Sequence, residues 1–219
     1  MHTIIVGALI VSEDRSSSRE EDPYPSGCRI AIFDFDATLA QGDSLWPFLE
    51  TVAGSCACYT HLFSSLSSYF FVPEGKGRRT ALKEELLHKT LAGRNISSIQ
   101  HAIDRMQFWP RWLPTLNDLR RHHQAGHHIL IASGSLDLYM PTMLRDVPYD
   151  GLICTEMERD ANGVLTGRMV SGNCVRKGKA ERVKAYMQAH GPFIESWGYG
   201  NAPHDLPMLE LVDHAHTIP

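Results

Sequence analysis

The chain has 219 residues, of which 43% are hydrophobic and 21% charged, and its formal net charge at pH 7 is −4. This length and composition are typical of one soluble globular domain, or of one domain that carries an insertion. The negative charge argues against a general nucleic-acid-binding protein, which is normally basic.

The five cysteines are irregularly spaced, and none belongs to a Cys-x-x-Cys pair that would indicate a zinc site. This usage favours a reduced, cytoplasmic protein. We interpret Cys56 and Cys58 as two small buried side chains rather than as metal ligands.

The first residues of the chain are not expected to carry function. Residues 1–11 are apolar but lack the basic start of a secretory signal, and residues 12–27 are rich in Ser, Glu, Asp and Pro. We therefore expect residues 1–28 to form a flexible leader. No stretch of the sequence is apolar over the length that a membrane-spanning helix needs.

Two aspartates mark the end of the next predicted element. The apolar run from Ile30 to Phe35 has the length and composition of a buried strand, and it ends on Asp34 and Asp36. Open α/β sheets bind their ligands at the carboxyl ends of their strands. Neighbouring carboxylates repel each other unless a cation compensates them, and a hard ion such as Mg²⁺ would do so. The alternative is a surface Asp-x-Asp turn.

Residues 43–112 have a different character and predict a helical insertion. Apolar residues from Leu45 to Val52 recur at helical spacing, with Asp43 or Ser44 as the N-cap. The following residues 51–73 contain no Asp, Glu, Lys or Arg. We interpret them as a buried helix, and a contact with a second protein, a greasy substrate or a lipid surface is the alternative.

The second half of the insertion begins with a basic run, residues 74–80, which is either a solvated turn or a patch that attracts an anionic substrate. It is not a phosphate-binding P-loop, because the glycine spacing and the Lys-Ser/Thr ending are absent. Residues 81–91 predict an amphipathic helix that ends at Gly93. Another helix starts at Ser97 or Ser98 and runs toward Phe108.

From Pro114 onward, strands and helices alternate. The predicted elements are a helix ending at Gly126, a strand at 127–133, a helix at 136–144, a strand at 151–155, a helix at 177–190, and strands at 194–199 and 215–218. A turn signal at residues 160–163 predicts a hairpin or two short strands at 157–168. Alternation of this kind predicts an α/β fold, with a Rossmann-like parallel sheet and helices on both faces. Residues 29–42 and 113–219 would form this core, with residues 43–112 inserted as a cap.

Four runs of the sequence match, in order, the motifs of the haloacid dehalogenase (HAD) superfamily. The run Phe-Asp-Phe-Asp-Ala-Thr-Leu resembles the first motif, with Ala37 in place of the commonest glycine. Ser133, after a hydrophobic strand, matches the second. Gly172-Asn-Cys-Val-Arg-Lys-Gly-Lys179 resembles the Asn-Cys-x-Gly-x-x-Lys pattern of one branch, with Arg176 in place of glycine. Residues 198–209 resemble the fourth motif, with Asn201 where an acid is common.

The chain resembles subfamily IB most, because its insertion lies between the first and second motifs, where the family places a C1 cap. That branch holds phosphoserine-phosphatase-like enzymes and the phosphatidylglycerophosphatase C type. The resemblance covers about residues 29–219 and is weakest in the cap.

The resemblance implies catalysis by an aspartyl-phosphate. Asp34 would be the nucleophile, because a carboxylate can accept a phosphoryl group. Asp36 would protonate the leaving oxygen and later activate water. Lys179 would neutralise the charge on the phosphate and on Asp34, with Arg176 and Lys177 as competing candidates.

The remaining site residues would bind phosphate, substrate or metal. Thr38, Ser133 and the amide of Gly134 would hold the phosphate, and Asp43 stands where phosphoserine phosphatases normally have a glutamate that contacts the substrate. The resemblance implies a Mg²⁺ cofactor. Its ligands would be Asp34, the backbone carbonyl of Asp36, and Asn201 or Asp205.

The sequence thus predicts a cytoplasmic, Mg²⁺-dependent phosphomonoester hydrolase that acts on a small phosphorylated metabolite. One alternative is a lipid phosphatase of the phosphatidylglycerophosphatase C type, since residues 51–73 and the basic run would suit an amphiphilic anion. An alternative of another class is an impaired HAD fold that binds phosphorylated ligands without turnover, which only Ala37 and Asn201 favour. An ATPase is a weaker option, and no nucleic-acid partner is expected.

Overall fold

The computed structural model describes residues 3–6, 9–12, 28–72 and 77–218. The strands are β1 (Thr3–Val6), β2 (Leu9–Ser12), β3 (Arg29–Phe33), β4 (His128–Leu136), β5 (Gly151–Thr155), β6 (Met157–Arg159), β7 (Leu165–Met169), β8 (Glu195–Asn201) and β9 (His214–Ile218). The helices are α1 (Leu45–Ala53), α2 (Ser55–Phe70), α3 (Arg78–Leu91), α4 (Ile96–Arg105), α5 (Leu113–Gln124), α6 (Met140–Met143), α7 (Arg176–His190) and α8 (Leu206–Leu209), with a 3-10 turn at Met106–Phe108.

Seven strands form one sheet in the order β1-β2-β5-β4-β3-β8-β9. The pairs β3–β4, β3–β8, β4–β5 and β8–β9 are parallel, whereas β2 runs antiparallel to β1 and to β5. The strands β6 and β7 form a separate antiparallel hairpin, as the turn signal around Asp160 predicted. A central parallel sheet with helices confirms the predicted fold class.

Helices cover both faces of the sheet. Side chains alternate along each strand, so the apolar strand β3 presents apolar side chains to both faces. Ile30 and Ile32 of β3 pack in one apolar cluster with Val183 of α7. Ala31 and Phe33 point the other way, into the larger cluster that includes Leu119 of α5. The strand that carries the two aspartates at its end is therefore fixed from both sides.

The helices α1 to α4 lie between β3 and α5 in the chain, and the two connections that lead to and from them are paired. Ala40 forms an antiparallel bridge with Arg111, and the Trp112 amide donates to the Leu39 carbonyl at 2.8 Å. The hairpin β6–β7 packs against α3. Gly167 allows this approach, since a Cβ there would lie 2.6 Å from the His88 Cα atom.

The helix predicted within residues 51–73 is confirmed by α2 at Ser55–Phe70, but the prediction that this helix is buried is wrong. Only Cys58 and Ser65 are buried along it. The aromatic residues Phe63 and Phe70 are 68% and 67% exposed. The cause is tertiary: α2 packs on α3 and α1, and among the described residues these contacts leave Phe63 and Phe70 mostly exposed. Cys56 is also exposed, contrary to its predicted burial.

The predicted helix at 136–144 is also wrong in extent, since only Met140–Met143 are helical. The strand β4 does not stop at Ser133 but continues to Leu136, with an irregular register against β5 after Ala132. In the segment predicted as a flexible leader, residues 3–6 and 9–12 form the strands β1 and β2 of the sheet, and its other residues up to 27 lie outside the described residues. Residues 74–76 of the basic run also lie outside them. Across the described segments, no helix combines the length and apolarity needed to span a bilayer.

Candidate active site

The carboxyl ends of β3, β4 and β8 open onto one cavity of about 710 Å³, which α3 and the start of α7 close from the sides. Its size is within the usual range for small-molecule sites. The cavity lining includes Asp34, Asp36, Lys179, Asn201 and Asp205. The topology thus brings together residues that are up to 171 positions apart in the sequence, from Asp34 to Asp205.

A buried lysine joins two aspartates at the base of this cavity. Lys179 Nζ lies 2.6 Å from Asp34 Oδ1 and 2.6 Å from Asp205 Oδ1, and all three residues are at most 4% exposed. Burial raises the pKa of Asp34 to about 6, although the adjacent ammonium opposes this shift. Burial would lower the pKa of Lys179, but the two carboxylates outweigh it and raise that pKa. The lysine therefore stays charged, as a neutraliser of anionic ligands must.

Asp34 and Asp36 are held in different ways. Thr38 Oγ1 donates to Asp34 Oδ2 at 3.0 Å. Asp36 Oδ1 accepts from the Ser44 amide at 3.0 Å, and its Oδ2 accepts from the Ser135 hydroxyl. Burial nevertheless raises the pKa of Asp36. One carboxylate is thus paired with a cation, and the other is held only by neutral donors.

The turn after β3 explains the usual glycine in the first motif. Ala37 has φ of +56°, a left-handed conformation that residues with a side chain rarely adopt. The turn directs the Thr38 hydroxyl back to Asp34. The backbone geometry is therefore kept despite the substitution of alanine.

Asn201 lies beside the two aspartates and reaches the position where a metal is implied. Its side-chain Nδ2 donates to the Asp36 carbonyl oxygen at 3.2 Å, and its backbone amide donates to Asp205 Oδ2 at 3.0 Å. Both Asp205 oxygens are therefore engaged, by Lys179 and by this amide. Among the residues that the structure describes, no group of three or more His, Cys, Asp or Glu is arranged to hold a metal.

The second motif is arranged differently from the sequence expectation. Gly134 and Ser135 line the cavity, whereas the fully buried Ser133 turns its hydroxyl toward the Ser135 amide, from which it accepts at 3.0 Å. The Ser135 hydroxyl is the one that contacts Asp36. The Ser-Gly-Ser run signalled this region, but not which serine faces the site.

Asp43 lines the cavity and also caps α1. Its Oδ1 accepts from the amides of Leu45 and Trp46 at 2.9 and 3.4 Å. Of the two N-cap candidates, Asp43 therefore supplies the capping oxygen, while Ser44 directs its hydroxyl to Ser135 and Tyr139. Part of the Asp43 carboxylate is thus committed to the helix.

Two basic residues of this site were not identified from the sequence as binding residues. Lys83 of α3 donates from Nζ to the Gly134 carbonyl at 2.7 Å and to Asn173 Oδ1 at 2.8 Å, and burial lowers its pKa to about 8. Arg176 lines the cavity, but it was considered only as a rival of Lys179. In the sequence, Lys83 has the spacing of an ordinary polar residue on an amphipathic helix.

The histidines lie mostly away from this cavity. His204 stands at its rim, where Arg176 Nη2 approaches its Nδ1 at 3.4 Å. His122 and His127 face each other at 2.8 Å between their Nδ1 atoms, beneath the edge of the sheet. Their rings pack on Trp197.

Fold and site together define an α/β domain with a helical insertion and with buried aspartates beyond the ends of parallel strands. A family model of haloacid dehalogenase-like hydrolases matches residues 31–210. The chain therefore belongs to the haloacid dehalogenase-like hydrolases, which confirms the predicted family.

Individual relatives support the same assignment. A phosphoserine phosphatase of Mycobacterium tuberculosis is 26% identical over 184 residues, which cover 83% of this chain and 42% of that protein. The chain thus spans less than half the length of this relative. A protein of unknown function from Bordetella pertussis Tohama I has a TM-score of 0.72 at 23% identity, covering 88% of this chain and 90% of the other. A substrate-bound phosphoserine phosphatase complex has a TM-score of 0.61 at 14% identity, covering 87% and 86%. At these identities, the structural likeness shows the fold.

Proposed function

We propose that this protein is a Mg²⁺-dependent phosphomonoester hydrolase that acts on a small phosphorylated metabolite through an aspartyl-phosphate on Asp34. The observation that carries the proposal is the buried Lys179, held at 2.6 Å from both Asp34 and Asp205 at the base of an open cavity. Burying a cation and two carboxylates costs desolvation free energy, so such a group indicates a functional requirement for charge at this position. Phosphoryl transfer has such a requirement, because charge must be neutralised around the phosphate.

The two aspartates would divide the chemistry between them. Asp34 attacks phosphorus and the bond to the leaving oxygen breaks, so that the phosphoryl group is transferred to the carboxylate. Asp36 donates a proton to the leaving oxygen and then removes one from the water that hydrolyses the acyl phosphate. The raised pKa of Asp36 suits the first of these roles, since a buried carboxyl retains its proton more readily.

The donor atoms present fit a hard divalent ion. The Asn201 side chain lies beside the Asp36 carbonyl, to which its Nδ2 donates at 3.2 Å, and Asp34 lines the same cavity. The Asp34 carboxylate, the Asp36 carbonyl and the Asn201 Oδ1 atom would be the ligands. We assign the side-chain ligand to Asn201 rather than Asp205, whose oxygens are both engaged. Mg²⁺ accepts such a set, with few protein ligands and remaining positions for water and substrate. When bound, it would neutralise phosphate charge.

The named relative supports a phosphomonoester substrate, since phosphoserine phosphatase acts on one. Phosphoserine itself is not the substrate that we favour. The shorter Asp43 stands at the position of the substrate-binding glutamate, and its Oδ1 is occupied by two amides of α1.

The test is hydrolysis of phenyl phosphate by the purified chain, with and without Mg²⁺, beside Asp34→Asn. We expect Mg²⁺-dependent release of phosphate, and a loss of about 10³-fold or more in kcat for the variant. Asp104→Asn, which alters an exposed aspartate of α4, serves as the control and should retain full activity. Activity that survives Asp34→Asn would contradict the nucleophile assignment, and binding without turnover across a panel of phosphate esters would favour the impaired-enzyme alternative.

A lipid phosphate is the second candidate substrate, and the exposed face of α2 favours it. Phe63 and Phe70 are 68% and 67% exposed on a helix that bears no charged side chain, and Phe71, which follows the helix, is 84% exposed. A cluster of exposed aromatic groups suits contact with the acyl chain of an amphiphile. A higher kcat/KM for lysophosphatidic acid than for glycerol 3-phosphate would favour this candidate, and the reverse would exclude it.

A further inference from the structure

We propose that Arg176 is a specificity-determining residue that selects phosphomonoesters bearing a second anionic group, such as a carboxylate, beyond the reacting phosphate. The inference rests on the proposed phosphatase function and adds a substrate class to it. It follows from the backbone, the helix ends and the charges around the cavity.

The backbone of Arg176 is held in an unfavourable conformation. Its φ is +51°, in the left-handed region where a Cβ crowds the following carbonyl and which favours glycine. The pattern that this run resembles has glycine at this position. Non-glycine residues persist in such conformations where the surroundings or a function require them. Here the strained residue places a guanidinium at the cavity.

Cations also occupy two helix ends where they are unfavourable. The helix α3 begins with Arg78 and Arg79, and α7 begins with Arg176 and Lys177, while neither first turn contains an acid. Helix N-termini carry a partial positive charge and normally attract acidic side chains. Three of these four cations line the same cavity: Arg78, Arg79 and Arg176. An anion bound in the cavity would offset the repulsion between these cations and the positive N-terminal ends of α3 and α7.

These arginines lie nearer the surface than Lys179, the cation proposed to neutralise the reacting phosphate. Lys179 is 3% exposed at the base, where it meets Asp34 and Asp205. The arginines are exposed at the rim, and with the described residues none of them forms an ion pair. Arg176 has one polar contact there, to His204 Nδ1 at 3.4 Å. The rim charge is therefore available to the distal part of a substrate.

Two matched aryl esters test this inference on the full chain with Mg²⁺: phenyl phosphate, and the same ester with a carboxylate on the ring. We expect wild type to prefer the carboxylated ester in kcat/KM by at least about tenfold, the usual size of one charge-assisted hydrogen bond. Arg176→Asn should abolish this preference by raising KM for the carboxylated ester alone. Asparagine tolerates positive φ, so this variant removes the charge and keeps the backbone.

The matched control is Lys177→Asn, which removes the same charge from the next residue, one that does not line the cavity. It should leave the preference unchanged. Arg176→Gly should lose the preference like Arg176→Asn, while its Tm rises because the strain is relieved. Unchanged discrimination in both Arg176 variants, or none in wild type, would overturn the inference and leave the phosphatase function intact. If neither ester is hydrolysed, the proposed function fails and this inference fails with it.

Discussion

The ends of the parallel strands and the outer face of α2 invert the usual distribution of polar and apolar side chains. At the base of the cavity beyond the strand ends, Asp34, Lys179 and Asp205 are buried. On α2, Phe63 and Phe70 face solvent. Buried charges and exposed apolar clusters are the informative exceptions in a folded protein, because each has an energetic cost.

The two regions differ in what offsets that cost. At the base of the candidate active site, hydrogen bonds within the chain do so: Lys179 has two carboxylate partners, and the neighbouring Asp36 accepts from Ser44 and Ser135. On α2, the described residues leave Phe63 and Phe70 about two-thirds exposed. The buried charges therefore have partners within the chain, whereas the aromatic face of α2 is only partly covered by the described residues.

The largest effect should come from Lys179→Met. The change leaves Asp34 and Asp205 buried without their cation, so we expect the free energy of unfolding to fall by about 3–5 kcal/mol, measured by urea denaturation. Phosphatase activity should fall by roughly 10²–10³-fold. Lys177→Met, an exposed change in the same helical turn, is the control and should alter neither quantity.

The stability of Lys179→Met should also depend on pH in a defined direction. Burial already raises the pKa of Asp34 from 3.8 to about 6 in the presence of Lys179. Because the lysine opposes this shift, removing Lys179 should raise the pKa of Asp34 further. The folded state then binds the proton more tightly than the unfolded state does, so the lost stability returns as the pH falls from 8 to 5. A variant that is equally unstable at both values would contradict the assigned pairing.

Asn201→Asp should have an intermediate effect and tests the metal position. A carboxylate in place of the amide adds a charged oxygen ligand, and we expect the Mg²⁺ concentration for half-maximal activity to fall by about tenfold. Without Mg²⁺, the Tm of the variant should drop, because the hydrogen bond to the Asp36 carbonyl is replaced by repulsion.

Asn162→Asp makes the same chemical change in the exposed hairpin turn and provides the comparison. It should leave the Mg²⁺ requirement as in wild type. An Asn201→Asp variant whose Mg²⁺ dependence matches that of Asn162→Asp would place the metal elsewhere.

The smallest effect on stability should come from Phe63→Ser with Phe70→Ser. Both side chains are mostly exposed, so the free energy of unfolding should change by no more than about 0.5 kcal/mol per site. The buried Phe48→Ser should cost about 3–5 kcal/mol.

The same double variant tests the lipid-phosphate candidate. It should lose turnover of lysophosphatidic acid in vesicles and retain turnover of phenyl phosphate. Phe108→Ser, which removes a 79% exposed aromatic outside α2, is the control for surface hydrophobicity. If the double variant affected the turnover of both substrates equally, the aromatic face of α2 would not determine substrate specificity.

Features that depend on one residue type and its spacing are predictable from the sequence. The alternation of strands and helices predicts the parallel sheet, and the acids after β3 and β8 predict which edge carries the site. Side-chain orientations that depend on a neighbouring segment are not predictable in this way. Ser133 and Ser135 are equivalent in the sequence, and only the extension of β4 to Leu136 directs Ser135 to Asp36.

Local patterns and residue chemistry are enough to predict the family, the order of the motifs and the positions of Asp34, Asp36, Lys179 and Asp205. Three other features depend on how distant segments pack: the contact of Lys83 with Gly134, the cavity that Arg176 shares with the arginines of α3, and the exposure of the aromatic face of α2. The physical reason is that burial and pairing are properties of contacts between distant segments. An amphipathic or uncharged helix has the same sequence pattern whether its partner is the core, a ligand or another surface.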